Sequence, residues 1–183
     1  ILNGNSVCGG FFMFYWTSGH KPYDRIAAIS YSNQWALGRN PQYLDYSNLG
    51  GDCTNFVSQC IYAGCQIMNY DIYMGWYYID GNRKAPAWTG VEFLHQFLVR
   101  MDTSPGPYGR EVSMSEVEPG DIIQLSFNDE GRFGHSLFVT QCGNPPGLNN
   151  IFVNTHSRDR LGYPLGGFSW KYIRFIKILG VWT

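Results

Sequence analysis

The sequence predicts an α+β fold in which helices come first and an antiparallel sheet follows. Two observations carry this. Apolar residues recur at helical spacing in three segments before about residue 101, whereas after Glu118-Pro119-Gly120-Asp121 the pattern changes to short β-branched and aromatic runs. Turn sequences at Asn128-Asp129-Glu130-Gly131 and Gly143-Asn144-Pro145-Pro146-Gly147 separate those runs and imply hairpins.

In chain order, Tyr23, Ile26, Ala27, Tyr31, Gln34 and Trp35 follow a 3.6-residue period and predict a first helix, stopped by Gly38 and the Asn40-Pro41 break. A polar, tyrosine-rich loop then leads to Gly50-Gly51. The series Phe56, Val57, Cys60, Ile61 and Gly64 predicts a second helix from Cys53 to about Ala63, with Asp52 as N-cap and Gly64 as C-cap. Residues 69 to 88 read as an irregular excursion whose Trp76, Tyr77, Tyr78 and Trp88 either line a substrate groove or anchor the loop to the core. Thr89-Gly90-Val91-Glu92 has the form of a capping box, and Phe93, Leu94, Phe97, Leu98 and Met101 supply the apolar stripe of a third helix, with His95 off that stripe and solvated. Residues 105 to 119 read as turn-rich. Strands are predicted at Ile122 to Leu125, His135 to Gln141, Ile151 to Thr155 and Tyr172 to Trp182.

The 183 residues suffice for one domain that buries about 70% of its extended-chain surface. A net charge of −1 with no Lys/Arg run argues against nucleic acid as a partner. No run of 18 apolar residues is present, so no membrane-spanning segment is predicted. The apolar stretch Gly9 to Trp16 has no basic flank and no small-residue cleavage site, and is a poor signal peptide. Residues 1 to 20 are therefore read as an extension, either a piece of a longer protein or vector-derived, and residues 21 to 183 as the domain. The five cysteines, Cys8, Cys53, Cys60, Cys65 and Cys142, show no zinc spacing and no disulfide framework. Cys60 and Cys65 point in different directions on the second helix and read as small apolar filler.

The chemistry-bearing stretch is Gly50-Gly51-Asp52-Cys53-Thr54-Asn55-Phe56-Val57-Ser58-Gln59. Two glycines permit a sharp turn, and Cys53 falls in the first helical turn, where unpaired N–H groups and the helix dipole favour thiolate over thiol. Asp52 opposes this, because a neighbouring carboxylate raises a thiol pKa, and a protonated His135 is required to outweigh it. Asn55 and Gln59, four apart on one helical face, read as hydrogen-bond partners around the nucleophile. His135 opens a predicted strand after Gly134, a position that presents an imidazole at the sheet rim. Asn154 and His156 lie two apart on the next strand, and either is placed to orient His135 across a strand spacing of about 4.8 Å.

Tyr23-Asp24-Arg25, Asn40-Pro41, the block around Cys53, Trp76, Trp88-Thr89, Pro119-Gly120-Asp121, Gly134-His135 and His156-Ser157-Arg158-Asp159 together resemble the bacterial "putative amidase" domain family, related to NlpC-type and CHAP-type papain-like cell-wall hydrolases. The resemblance covers about Tyr23 to Asp159 and beyond. It implies a papain-like fold and amide hydrolysis through a thioester. It makes Cys53 the nucleophile, His135 the base and His156 the polar third member, with Asn154 as the alternative. The oxyanion falls to the backbone N–H of Cys53 and an upstream side chain, Tyr43 or Tyr46.

The expected function is that of a monomeric thiol amidase or peptidase acting on a peptide such as a peptidoglycan stem. No cofactor is expected, and the cell-wall resemblance implies a secreted or wall-associated bacterial protein. An acyltransferase using the same Cys-His pair and a catalytically silent binding module with this fold are the alternatives. A zinc hydrolase using Cys53, His135 and His156 is the most distant reading.

Overall fold

The computed structural model describes residues 19–128, 130 and 132–183. The N-terminal aromatic stretch, Cys8, and Asp129 and Gly131 of the first predicted hairpin turn lie outside the described residues. Helices α1 (Arg25–Trp35), α2 (Cys53–Cys65), α3 (Pro86–Thr89) and α4 (Val91–Leu98) cover one face of a seven-stranded sheet. Its strands are β1 (His20–Lys21), β4 (Gly106–Val112), β5 (Ile122–Ser126), β6 (His135–Gln141), β7 (Phe152–Thr155), β8 (Arg160–Pro164) and β9 (Tyr172–Trp182). A two-stranded ribbon, β2 (Tyr78–Asp80) and β3 (Arg83–Lys84), stands apart.

All strand pairs are antiparallel. The long β9 is the spine, with β4 along one edge and β5 and then β1 along the other. From β5 the sheet continues through β6 and β7 to β8. His20, read as part of the extension, pairs with Trp182 and so joins the sheet.

Alternation along the strands divides the apolar residues between two cores. Ile122, Phe138 and Ile176 meet Phe56, Val57, Ile61, Trp76 and Trp88 on the helical side. Ile123, Leu125, Leu137, Val139 and Phe175 form the second core on the other side. The helix α2 is buried almost all round, consistent with its apolar residues exceeding one stripe.

Several elements differ from the expectation for identifiable reasons. Ile26 is 82% exposed: α1 is capped by Asp24, whose Oδ1 accepts the Ala27 N–H at 2.9 Å, and it buries Ala28 and Ser32 instead. Gly64 is not the C-cap; it lies inside α2, at a position where a Cβ would stand 2.4 Å from the Tyr23 ring and 2.6 Å from the Asp24 carbonyl, so close packing calls for glycine there. Gln66 takes the left-handed cap at φ 55°. The expected box at Thr89 to Glu92 does not form, since Thr89 ends α3. Glu92 instead accepts the Phe133 N–H and pairs with Arg174, at 2.8 and 2.9 Å. Met101 and Phe93 are exposed, so the α4 stripe is Leu94, Phe97 and Leu98. His95 is not simply solvated, because its Nε2 meets Glu111 at 2.6 Å. Strand β4 falls in the stretch read as turn-rich, and β8 was not foreseen. In β4, Gly and Pro dilute the period-2 signal, and pairing with β9 supplies the order.

Candidate active site

Cys53 is the first residue of α2. Gly50 and Gly51, at φ 105° and 116°, make the turn that delivers it, in a region open to glycine and strained for other residues. The Asp52 N–H donates to Ser157 Oγ at 2.8 Å, pinning the helix start to the turn after β7. One residue further, the Thr54 and Ser136 hydroxyls meet at 2.9 Å, clipping the same turn of α2 to the start of β6. The Cys53 sulfur meets the Thr54 hydroxyl at 3.8 Å, and the backbone of Ser136, the residue after His135, is among the influences that favour its thiolate. Cys53 and His135 are thus brought to one end of the sheet, although among the described residues no hydrogen bond joins their side chains.

The electrostatics of the pair run against the expectation of a preformed thiolate. Burial is the largest influence on Cys53 and raises its thiol, outweighing hydrogen bonds from Ser136 and Thr54; the Asp52 charge is a smaller influence in the same upward direction. Burial also lowers His135 to about 4. At neutral pH the two resting groups are a thiol and a neutral imidazole, so the protonated His135 required to offset Asp52 is absent.

His135 Nε2 lies 3.3 Å from Thr155 Oγ1. That hydroxyl also reaches the Ser136 and His156 carbonyls, at 2.9 and 3.1 Å; with its proton on either of them it has a lone pair for an Nε2–H, which leaves Nδ1 as the basic nitrogen. Thr155 therefore occupies the place that the sequence reading gave to His156 or Asn154. Asn154 is opposite Phe138 in the register and donates to Ser32 and Asn33 at 2.9 and 3.0 Å while accepting the Gly162 N–H at 2.7 Å. It ties α1 to the sheet.

His156 is committed elsewhere as well. Its Nδ1 meets Asp52 Oδ2 at 2.5 Å, its Nε2 meets the Trp35 carbonyl at 2.9 Å, and its ring stacks on Phe56 with centroids 4.1 Å apart. Asp52 is fully buried and makes no side-chain cap. Its Oδ1 instead accepts from the Tyr46 N–H at 2.9 Å and from Asn55 Nδ2 at 2.8 Å, and Arg39 stands 3.6 Å from Oδ2. Arg39 in turn holds Asp159 through both oxygens, at 2.9 and 3.0 Å.

The other residues singled out surround this network. Asn55 also donates to Leu44 O and accepts the Trp88 indole N–H at 2.9 Å, whereas Gln59 accepts the Tyr31 hydroxyl at 2.7 Å. Tyr46 spends its hydroxyl on Gly81 O at 3.0 Å, and Tyr43 packs between Trp88 and Tyr78. Burial pushes both phenols up to about 12, so each stays protonated. Trp76 is fully buried, donates to Ser58 Oγ at 3.0 Å and stacks on Phe97, which anchors the excursion and keeps it out of any groove.

Among the described residues no group of three His, Cys, Asp or Glu side chains could hold a metal ion, and the zinc arrangement has no support in the positions of Cys53, His135 and His156. A cleft of about 490 Å³ opens beside His135, lined among others by Phe127, Arg158, Arg160, Tyr163 and Phe168. Thr155, Ser136, Arg39 and Ser157 were not foreseen as site residues; the adjacency of Ser136 to His135 and of Thr155 and Ser157 to His156 was the available signal.

Comparison with known proteins places this site in context. The chain is 32% identical over 131 residues to "Uncharacterized protein YhbB" of Bacillus subtilis (strain 168), covering 69% of this chain and 40% of that protein. It is 26% identical over 156 residues to "Uncharacterized protein YjcM" of the same organism, covering 79% of this chain and 33% of that protein. The chain thus spans well under half the length of these relatives. No solved structure matches. Residues 22–178 match the family model described as "Putative amidase domain", and the chain belongs to that family.

Proposed function

We propose that the chain is a cysteine-dependent amidase or peptidase of papain-like architecture, allied to the NlpC-type and CHAP-type hydrolases. The observation that carries this reading is the placement of Cys53 at the first position of α2, in the turn whose Thr54 hydroxyl is clipped to Ser136, next to His135. A buried helix start clipped to the strand that carries an imidazole is the arrangement nucleophilic acyl transfer needs.

Substrate entry from the cleft brings an amide carbonyl to Cys53. The sulfur attacks the carbonyl carbon as its proton passes to Nδ1 of His135. The oxyanion faces the Cys53 backbone N–H, which as a first-turn amide has no intrahelical acceptor. His135 then gives the proton to the leaving amine, and the C–N bond breaks to leave a thioester. Water, deprotonated by His135, attacks the thioester, releases the carboxylic acid and restores the thiol. Thr155 holds Nε2 throughout, and His156 acts through Asp52 as a positioning residue for the turn that carries Cys53.

The substrate class is a peptide, with bacterial peptidoglycan stem peptides as the form drawn from the cell-wall resemblance, and a secreted or wall-associated setting follows from it. The test is amine release from a panel of peptides and peptidoglycan fragments. Cys53→Ala and His135→Ala are each expected to lower turnover by about a thousandfold or more. Retained cleavage in Cys53→Ala removes the nucleophile assignment.

A further inference from the structure

Among the described residues the lining of the cleft beside His135 carries two cations, Arg158 and Arg160, and no aspartate or glutamate. The nearest acid in sequence, Asp159, is already taken by Arg39 through both oxygens. Arg158 is exposed and has no hydrogen bond, ion pair or ring contact among the described residues. Arg160 lies over the Tyr163 ring, 5.0 Å from its centroid, and spends one weak bond of 3.3 Å on the Asp159 carbonyl. Among the described residues most of its donors have no hydrogen-bond partner.

The backbone that presents these guanidiniums is strained. Ser157 and Arg158 have φ of 65° and 115°, values that L residues other than glycine adopt at a cost. The turn is held there by the Asp52 N–H on Ser157 Oγ, so the loop carrying Arg158 is fastened to the residue before the nucleophile. Strain of this kind persists where surrounding contacts enforce it, and here they aim a free cation into the cleft.

We propose that Arg158 and Arg160 form a carboxylate-binding subsite, so that the amide cleaved by Cys53 belongs to a substrate bearing a carboxylate close to the scissile bond. The inference deepens the amidase reading and rests on it for the word substrate. A guanidinium fork matches a carboxylate with two parallel hydrogen bonds, and Phe127 and Phe168 supply apolar walls for the rest of the residue.

The test is an equilibrium titration of the whole chain, read by the imidazole NMR signals of His135. Three peptides are compared: N-acetyl-Ala-Ala with a free terminal carboxylate, N-acetyl-Ala-Glu amide with a side-chain carboxylate, and N-acetyl-Ala-Ala amide with none. At least one carboxylate peptide is expected to bind about tenfold or more tightly than the uncharged one, and which one identifies the source of the charge. Arg158→Gln and Arg160→Gln are expected to erase most of that preference, and Arg158→Gln leaves the fold intact because the side chain has no partner to lose. Equal binding of all three peptides, no binding of any, or a preference that survives in the double variant overturns the subsite. Hydrolysis retained by Cys53→Ala would instead remove the thiol-amidase reading, leaving the binding preference as a measured fact.

Discussion

Asp52 Oδ2 and His156 Nδ1 lie 2.5 Å apart at the base of the helix that carries Cys53, and both side chains are almost fully buried. The contact makes His156 a brace for the residue before Cys53. His156→Ala removes this bond, the bond to Trp35 O and the stack on Phe56 together, and leaves Asp52 short of a partner in the interior. Loss of about 3–5 kcal/mol in urea-unfolding stability is expected. A variant of full stability whose turnover alone falls would return His156 to the catalytic triad.

Thr155 is expected to behave differently. Its hydroxyl meets His135 Nε2 at 3.3 Å, a long contact that orients the ring and does little for the fold. Thr155→Val keeps the shape and deletes the acceptor, so kcat should fall about tenfold with little change in KM. Its lost bond to Ser136 O costs about 1 kcal/mol of stability. Asn154→Ala is the contrast: its bonds join α1 to the sheet, and a stability loss with kcat per folded molecule unchanged is expected.

The contrast between these residues shows what the sequence made legible. Helix α2, strands β5, β6 and β9 and the places of Cys53 and His135 in them were readable because hydrophobic period and turn chemistry are local. The third residue was not. Asn154 and His156 share a strand face by period, but which of residues 154 to 156 meets His135 depends on the register of β6 with β7, which shifts between Val139 and Gln141. The Asp52 role was misread for a related reason. Its cap position and its bond from Asn55 are local facts, whereas its partners Tyr46 and His156 come from other segments.

The depression of His135 to about 4 has a sign that can be checked. Its folded value lies below its ordinary one of 6.5, so protons favour the unfolded chain. Stability is unpenalised above about pH 6.5 and falls as pH drops toward 4, by about 1–2 kcal/mol after allowance for partial exposure to solvent. His135→Asn should flatten that part of the pH profile of the melting temperature. The same value predicts that kcat/KM keeps its neutral-pH level until pH approaches 4, where the base is lost. An acid limb at pH 6 to 7 would mean that His135 is not buried in the free enzyme as it is here.

Cys53 should resist alkylation where a preformed ion pair would not. Two forces act on the thiol. The helix dipole and hydrogen bonds from Ser136 and Thr54 favour the thiolate, while burial at 6% exposure opposes it and prevails. The neutral His135 adds no compensating charge. Iodoacetamide labelling followed by mass spectrometry is therefore expected to be slower at Cys53 than at a free thiol at pH 7, and to rise only above about pH 9. Occupancy of the cleft changes the outcome, because a bound amide gives the sulfur a carbon to attack as its proton moves to His135. Deprotonation is then concerted with attack and needs no standing thiolate. Slow alkylation joined to efficient turnover is the combination that this site predicts, and rapid labelling that persists below pH 7 would show a thiolate–imidazolium pair in its place.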